Sequence, residues 1–292
     1  MTISENQNVS NSFRKVLNRH GYAFQYSSVR IADELFSKGS FNRWIFQASE
    51  FPVEIARRNK GTRIDFILRS SRYPIYLLFE CKRANPSIKN WCFAKAPYVR
   101  RNRTEEQFFV ETIKSNNGEV SSMGMILRSL NQNESFHIAL EVKSSEKGDN
   151  DGKGTGEIED AAGQVCYGLN GMVELFHNYP LVEQGKQVVL VPIILTTANI
   201  WTSSVDLGAA DINNGELITP QIQLDSKQWV YFQYHQSPGL KNSFSNNISG
   251  RNEIESILDR EYIRTIPIVT ANAISDFLQY FDDDLYNLRE VY

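Results

Sequence analysis

Cysteine is scarce in this chain of 292 residues. Cys81, Cys92 and Cys166 stand apart with no CxxC pair, which excludes a disulfide framework and a zinc knuckle. Long apolar runs are missing as well. The longest, from Val188 to Leu195, contains a proline and falls far short of the ~20 residues that a membrane span needs. From Met1 to Ser12 the chain is polar, with no basic segment leading into an apolar one. No secretory signal is legible, so a reducing, cytoplasmic setting is expected. There is no GxxxxGK(S/T) loop to cradle a nucleotide and no GxSxG elbow for a serine hydrolase. The four histidines, His20, His137, His177 and His235, lack metal-ligand spacing, and no repeat of solenoid or propeller period is present.

What is present is an ordinary globular composition, 41% hydrophobic, which excludes a disordered or collagenous chain. The length suffices for one large or two modest domains. The 31 basic and 34 acidic residues give a net charge of −3, but they are unevenly spread. Between Arg57 and Arg103 there are 13 Lys or Arg and only two acids, Asp65 and Glu80. The rest of the chain is strongly acidic. Such segregation is the footprint of a polyanion partner. Within it, Lys82 to Arg103 has no acid and interleaves Trp91, Phe93 and Tyr98 with its cations. Phosphate-binding cations beside stacking rings suit nucleic acid, and Lys89, Trp91, Lys95, Arg100, Arg101 and Arg103 are the candidate contacts.

Periodicity predicts helices over Ser10–Gly21 and Ser28–Gly39, then three successive strands over Phe51–Arg57, Thr62–Arg69 and Pro74–Lys82. Phe136–Lys143 reads as a further strand. A Gly- and charge-rich loop then leads into a helix from Glu157 to His177. Gln187–Thr196 is a nearly continuous apolar run, as in a strand covered on both faces. Strands at Gln228–Tyr234 and Tyr262–Val269 and a helix at Ala271–Phe281 complete the reading. The expected fold is α/β: a core over 1–200 with an insertion at about 84–135, and an α+β extension over 201–292 packed on it.

Chemistry concentrates in the hairpin from Thr62 to Lys82. Side chains alternate along a strand, so Glu80 and Lys82 share a face, and Asp65 lies near the start of the preceding strand. In an antiparallel pair those two ends are adjacent. Two carboxylates and an ammonium then converge beside the basic segment. Like carboxylates in low dielectric call for a cation, and Mg2+ is the natural one, being held by one or two carboxylates, water and substrate phosphate.

Asp65, fourteen intervening residues and then Glu80-Cys81-Lys82 resemble the PD-(D/E)xK nuclease superfamily, with Ile64 at the position of the motif's proline. The resemblance covers Ser28 to about Thr197 and implies a restriction-endonuclease-like mixed β-sheet flanked by helices. It also implies a phosphodiesterase whose Asp65, Glu80 and Cys81 carbonyl bind Mg2+, with Mn2+ able to substitute, while Lys82 serves the attacking water. Branches of the family add a helix glutamate, which maps to Glu34, and a glutamine, which maps to Gln164. Glu54 could supply the same accessory carboxylate. A second ExK, Glu141-Val142-Lys143, also ends an apolar strand but lacks an aspartate on a preceding hairpin arm, and ranks behind the first.

Two functional classes follow. The first is a Mg2+-dependent endonuclease, DNA favoured, in restriction, defence or repair. The second is a non-catalytic nucleic-acid-binding or regulatory module that retains the fold. Neither expects a membrane, and a homodimer is compatible with both.

Overall fold

The computed structural model describes residues 3–37, 43–55, 60–96, 106–116, 119–130, 134–143, 156–179, 181–219, 221–237 and 257–287. The N-terminal half holds helices α1 (Ile3–Arg19) and α2 (Tyr22–Ser37), then strands β1 (Trp44–Ile55), β2 (Lys60–Ser70), β3 (Ile75–Lys82) and β4 (Asn90–Ala94). Strands β5 (Glu106–Asn116), β6 (Glu119–Leu130), β7 (Ser135–Phe136) and β8 (Ile138–Val142) follow, then helix α3 (Gly156–Asn178). The remainder is β9 (Gln187–Thr196), β10 (Asn199–Ser203), β11 (Asp225–Lys227), β12 (Trp229–His235), β13 (Ile263–Thr270) and helix α4 (Ile274–Asn287). The Gly- and charge-rich loop expected at Ser144–Gly156 lies, Gly156 excepted, outside the described residues.

Nine strands form the main sheet, in the order β1-β2-β3-β9-β13-β12-β7, with β5 and β6 branching from β9. β1, β2 and β3 are a meander of antiparallel neighbours, β3 and β13 run parallel to β9, and β12 is antiparallel to β13. The fold is therefore mixed α/β with a mixed sheet. The β9 run QVVLVPIILT is buried almost throughout because helices cover both faces of its sheet. On one face α2 and α4 bring Ala32, Phe277 and Phe281 against Phe66, Leu77 and Phe79. On the other, α3 brings Leu169, Met172 and Phe176 against Ile64, Ile67 and Leu78. The helix can lie this close only because it presents glycines. A Cβ on Gly171 would stand 2.5 Å from Val53 Cβ, and one on Gly168 would stand 2.9 Å from Ile64 Cγ1.

Several sequence expectations change: α1 starts at Ile3 rather than Ser10, α2 at Tyr22 rather than Ser28 and β1 at Trp44 rather than Phe51. The stretch read as an extension beyond residue 200 supplies β12 and β13, and β13 hydrogen-bonds to β9 from Ile268–Ile194 to Thr270–Thr196. The stretch read as an insertion supplies β5, which pairs with the first half of β9 at Gln187–Leu190. The run FHIALEVK is two strands, not one. It breaks at His137, with β7 pairing β12 in the main sheet and β8 pairing β4 in a second sheet ordered β11-β10-β4-β8.

Because β5 and β13 share one side of β9, the sheet forks there and leaves backbone groups facing each other in the core. Side chains satisfy them, as buried main-chain groups require. Thr265 Oγ1 accepts the Phe109 N–H at 2.9 Å, Gln233 Nε2 donates to the Gln107 carbonyl at 2.8 Å, and Arg264, whose guanidinium is also paired with the buried Glu111 carboxylate, donates Nη1 to the Ile263 carbonyl at 2.7 Å. Among the described residues no helix is long and apolar enough to cross a membrane.

Candidate active site

The hairpin ladder between β2 and β3 runs from Arg69–Tyr76 to Phe66–Phe79 and then ends. Asp65 and Glu80 occupy the next register position, facing each other where the strands part. The parting is stabilised by a side chain. Asp65 Oδ2 accepts the Cys81 N–H at 2.6 Å, supplying an acceptor where the main-chain ladder has ended. β3 continues past this point because its other edge stays paired with β9 as far as Lys82–Thr196. Asp65, Glu80, the Cys81 backbone and Lys82 are thus brought together.

A third carboxylate joins them. Between the Ser49–Phe66 and Phe51–Ile64 pairs of β1 and β2, Glu50 falls opposite Asp65. Its φ of 50° is in the left-handed region, which costs a non-glycine residue on the order of 1 kcal/mol or more. Two partners hold its side chain. Buried Gln25, on α2, donates Nε2 to Glu50 Oε1 at 2.5 Å and to the Asp65 carbonyl at 3.1 Å, and Arg63 lies 3.5 Å from Glu50 Oε2.

The three carboxylates act on one another. Burial raises the Asp65 carboxyl to about 6, helped by the Glu50 charge and opposed by the Cys81 N–H and Lys82. Burial likewise raises Glu80 to about 8, with Asp65 adding to the effect and Lys82 opposing it. The Cys81 thiol, which Ser28 hydrogen-bonds, is pushed well above its ordinary value by burial and by the same two carboxylates. Excess negative charge in low dielectric attracts either protons or a cation.

The donor set suits Mg2+ better than a soft metal. Among the described residues no group of three His, Cys, Asp or Glu side chains forms a ready metal cage. Two hard carboxylates, completed by water and substrate phosphate, are nevertheless the usual protein share of a Mg2+ shell, and Asp65 and Glu80 fit it.

Other sequence candidates lie elsewhere. Glu34 is half-buried on α2, 3.7 Å from Arg30, and Glu54 is exposed on β1, four residues beyond Glu50. Gln164 is exposed on α3. The carboxylate and the glutamine that lie near Asp65 are Glu50 and Gln25. A signal for Gln25 does exist in the sequence. Gln25 and Ser28 stand at helical spacing from Ala32, so two polar groups share the helix face that the small apolar Ala32 buries. Glu50 had none, because nothing in the sequence announces a positive φ inside a strand.

The rival Glu141 has a structural task. Its Oε1 accepts the N–H groups of Glu157 at 2.5 Å and Ile158 at 3.0 Å, capping the first turn of α3 with a carboxylate. Lys143 is exposed beyond the end of β8.

In the basic segment Trp91 is not a stacking platform. It is 0% exposed on β4, in a cluster with Phe93, Phe136 and Ile200. Lys89 is exposed just before that strand and Lys95 half-buried just after it. Arg100, Arg101, Arg103 and Tyr98 lie outside the described residues. A cavity of about 730 Å³ opens at the opposite ends of β3 and β9, beside Ile75 and Val188, and is not part of this site.

No family model matches this chain, and neither a curated protein nor a solved structure matches it.

Proposed function

We propose that the chain is a Mg2+-dependent nuclease with a restriction-endonuclease-like core, cleaving phosphodiester bonds within DNA in a restriction or defence role. The observation that carries this reading is the Asp65–Glu80 pair at the parting of β2 and β3, with Lys82 on the same strand end and both carboxyls raised, to about 6 and about 8. A merely structural ion-pair ladder gains nothing from burying acids that repel each other.

In this reading Asp65 and Glu80 hold Mg2+, with the Cys81 carbonyl as the resemblance implies. Bound there, the ion supplies Lewis-acid stabilisation of the phosphoryl oxygens. The Cys81 N–H fixes the Asp65 carboxylate. Gln25 ties Glu50 to the Asp65 backbone and so sets the spacing of the first two acids. Lys82 orients the attacking water and offsets charge that grows on the phosphate, an electrostatic effect of roughly 3–4 kcal/mol where a single such donor is removed elsewhere. The cations of the basic segment bind the substrate backbone without reading its sequence.

Plasmid incubation with Mg2+ and with EDTA, beside salt-dependent DNA binding without metal, tests the reading. Cleavage in Mg2+ alone supports it. Salt-sensitive binding with no cleavage in Mg2+ or Mn2+ makes the chain a binding module.

A further inference from the structure

The geometry points to a nucleobase pocket beside the proposed catalytic edge, in which the base of a nucleotide next to the scissile phosphate stacks on Trp201. This deepens the nuclease reading and rests on it.

A cavity of about 540 Å³ opens at the C-terminal ends of β9 and β13, lined by Thr197, Asn199, Trp201, Lys227, Gln228 and Asn272 among others. Its volume is within the roughly 300–1,000 Å³ of small-molecule sites, and the carboxyl ends of parallel strands are where open α/β sheets bind ligands. It adjoins the proposed chemistry through the sheet itself. Thr196, part of the cavity wall, is the β9 residue paired with Lys82, and the Thr197 N–H donates to the Lys82 carbonyl at 3.3 Å.

The lining is nucleotide chemistry. Trp201 is half-buried, and its ring is pinned. Asn90 Oδ1 accepts Trp201 Nε1 at 3.2 Å and Asn199 Nδ2 at 3.2 Å. A pinned indole offers a stacking face with little ordering cost. Gln228 and Asn272 carry paired donor and acceptor groups suited to base edges, and Lys227 carries a cation suited to phosphate. Trp91, which the sequence offered for stacking, is in the core, so Trp201 takes that role.

The test is calorimetric binding, in EDTA, of a five-nucleotide single-stranded deoxyoligonucleotide and of its fully abasic analogue. The proteins are the full chain and its Trp201→Ala, Trp201→Phe and Asn272→Ala variants, each checked for an unchanged melting transition. The intact oligonucleotide should bind roughly tenfold or more tightly than the abasic one, the usual size of one base–aromatic stack. Trp201→Ala should erase that difference, Trp201→Phe should keep most of it, and Asn272→Ala should reduce it. Equal affinity of the parent chain for both oligonucleotides, no binding of either, or a base preference that survives Trp201→Ala overturns the pocket. A Trp201-dependent base preference in a protein that cleaves nothing in Mg2+ upholds the pocket and overturns the nuclease reading. Cleavage in Mg2+ without that preference does the reverse.

Discussion

Asp65 Oδ2 accepts the backbone N–H of Cys81 at 2.6 Å, across the point where β2 and β3 cease to pair. One carboxylate oxygen thereby closes the end of the hairpin, and in the proposed reading the other takes the metal. The bond assigns Asp65 two separable tasks, and two substitutions separate them. Asp65→Asn retains an acceptor for Cys81 and removes a charge that Glu80 and Glu50 repel, so its metal-free stability should match or exceed that of the parent. Asp65→Ala strands the N–H and should be about 1–3 kcal/mol less stable than the Asn variant in denaturant titration. Both should fail to bind Mn2+ by calorimetry.

Glu50 stands in a backbone conformation that glycine adopts freely. Glu50→Gly should therefore melt no lower than the parent despite losing the contacts to Gln25 and Arg63, while cleavage falls by about tenfold or more because the spacing set through Gln25 is lost. A matched loss of stability and activity would make Glu50 a structural residue only.

The raised carboxyls have a definite pH sign. Asp65 at about 6 and Glu80 at about 8 lie above their ordinary values of 3.8 and 4.5, so between those limits the folded protein binds more protons than the unfolded one. Stability then falls as pH rises through this window. Metal-free melting temperature should be higher near about pH 5 than above about pH 8, and Glu80→Gln should flatten the trend. Mg2+ binding should strengthen over the same range and release protons.

Glu141 should behave as a cap. Glu141→Ala should cost about 0.5–2 kcal/mol of stability, the range for lost helix caps, and should leave Mg2+-dependent cleavage intact at a temperature where the variant is folded.

Much of this arrangement is legible in the sequence, for physical reasons. β2 and β3 announce themselves through period-two patterning with a short turn, and α3 through an apolar stripe, because local geometry alone determines those patterns, whereas of β1 only the end from Phe51 is legible and its start at Trp44 is not. Asp65 and Glu80 follow from hairpin register. What escapes is set by distant partners. β5 is read as insertion because it earns its place only by pairing with Gln187–Leu190, far along the chain. FHIALEVK looks like one strand because the break at His137 comes from two different neighbours, β12 and β4. Trp91 carries the same local signal whether it stacks on a base or fills a core, and only the second sheet decides.

The most direct measurement is Mg2+-dependent plasmid cleavage by the parent chain and by Glu80→Ala, compared at equal folded concentration. Removing one of the two proposed metal-holding carboxylates should leave DNA binding in place and reduce cleavage by some hundreds-fold, toward the level seen in EDTA. A Glu80→Ala protein that cleaves as fast as the parent would contradict the assignment of the Asp65–Glu80–Lys82 site.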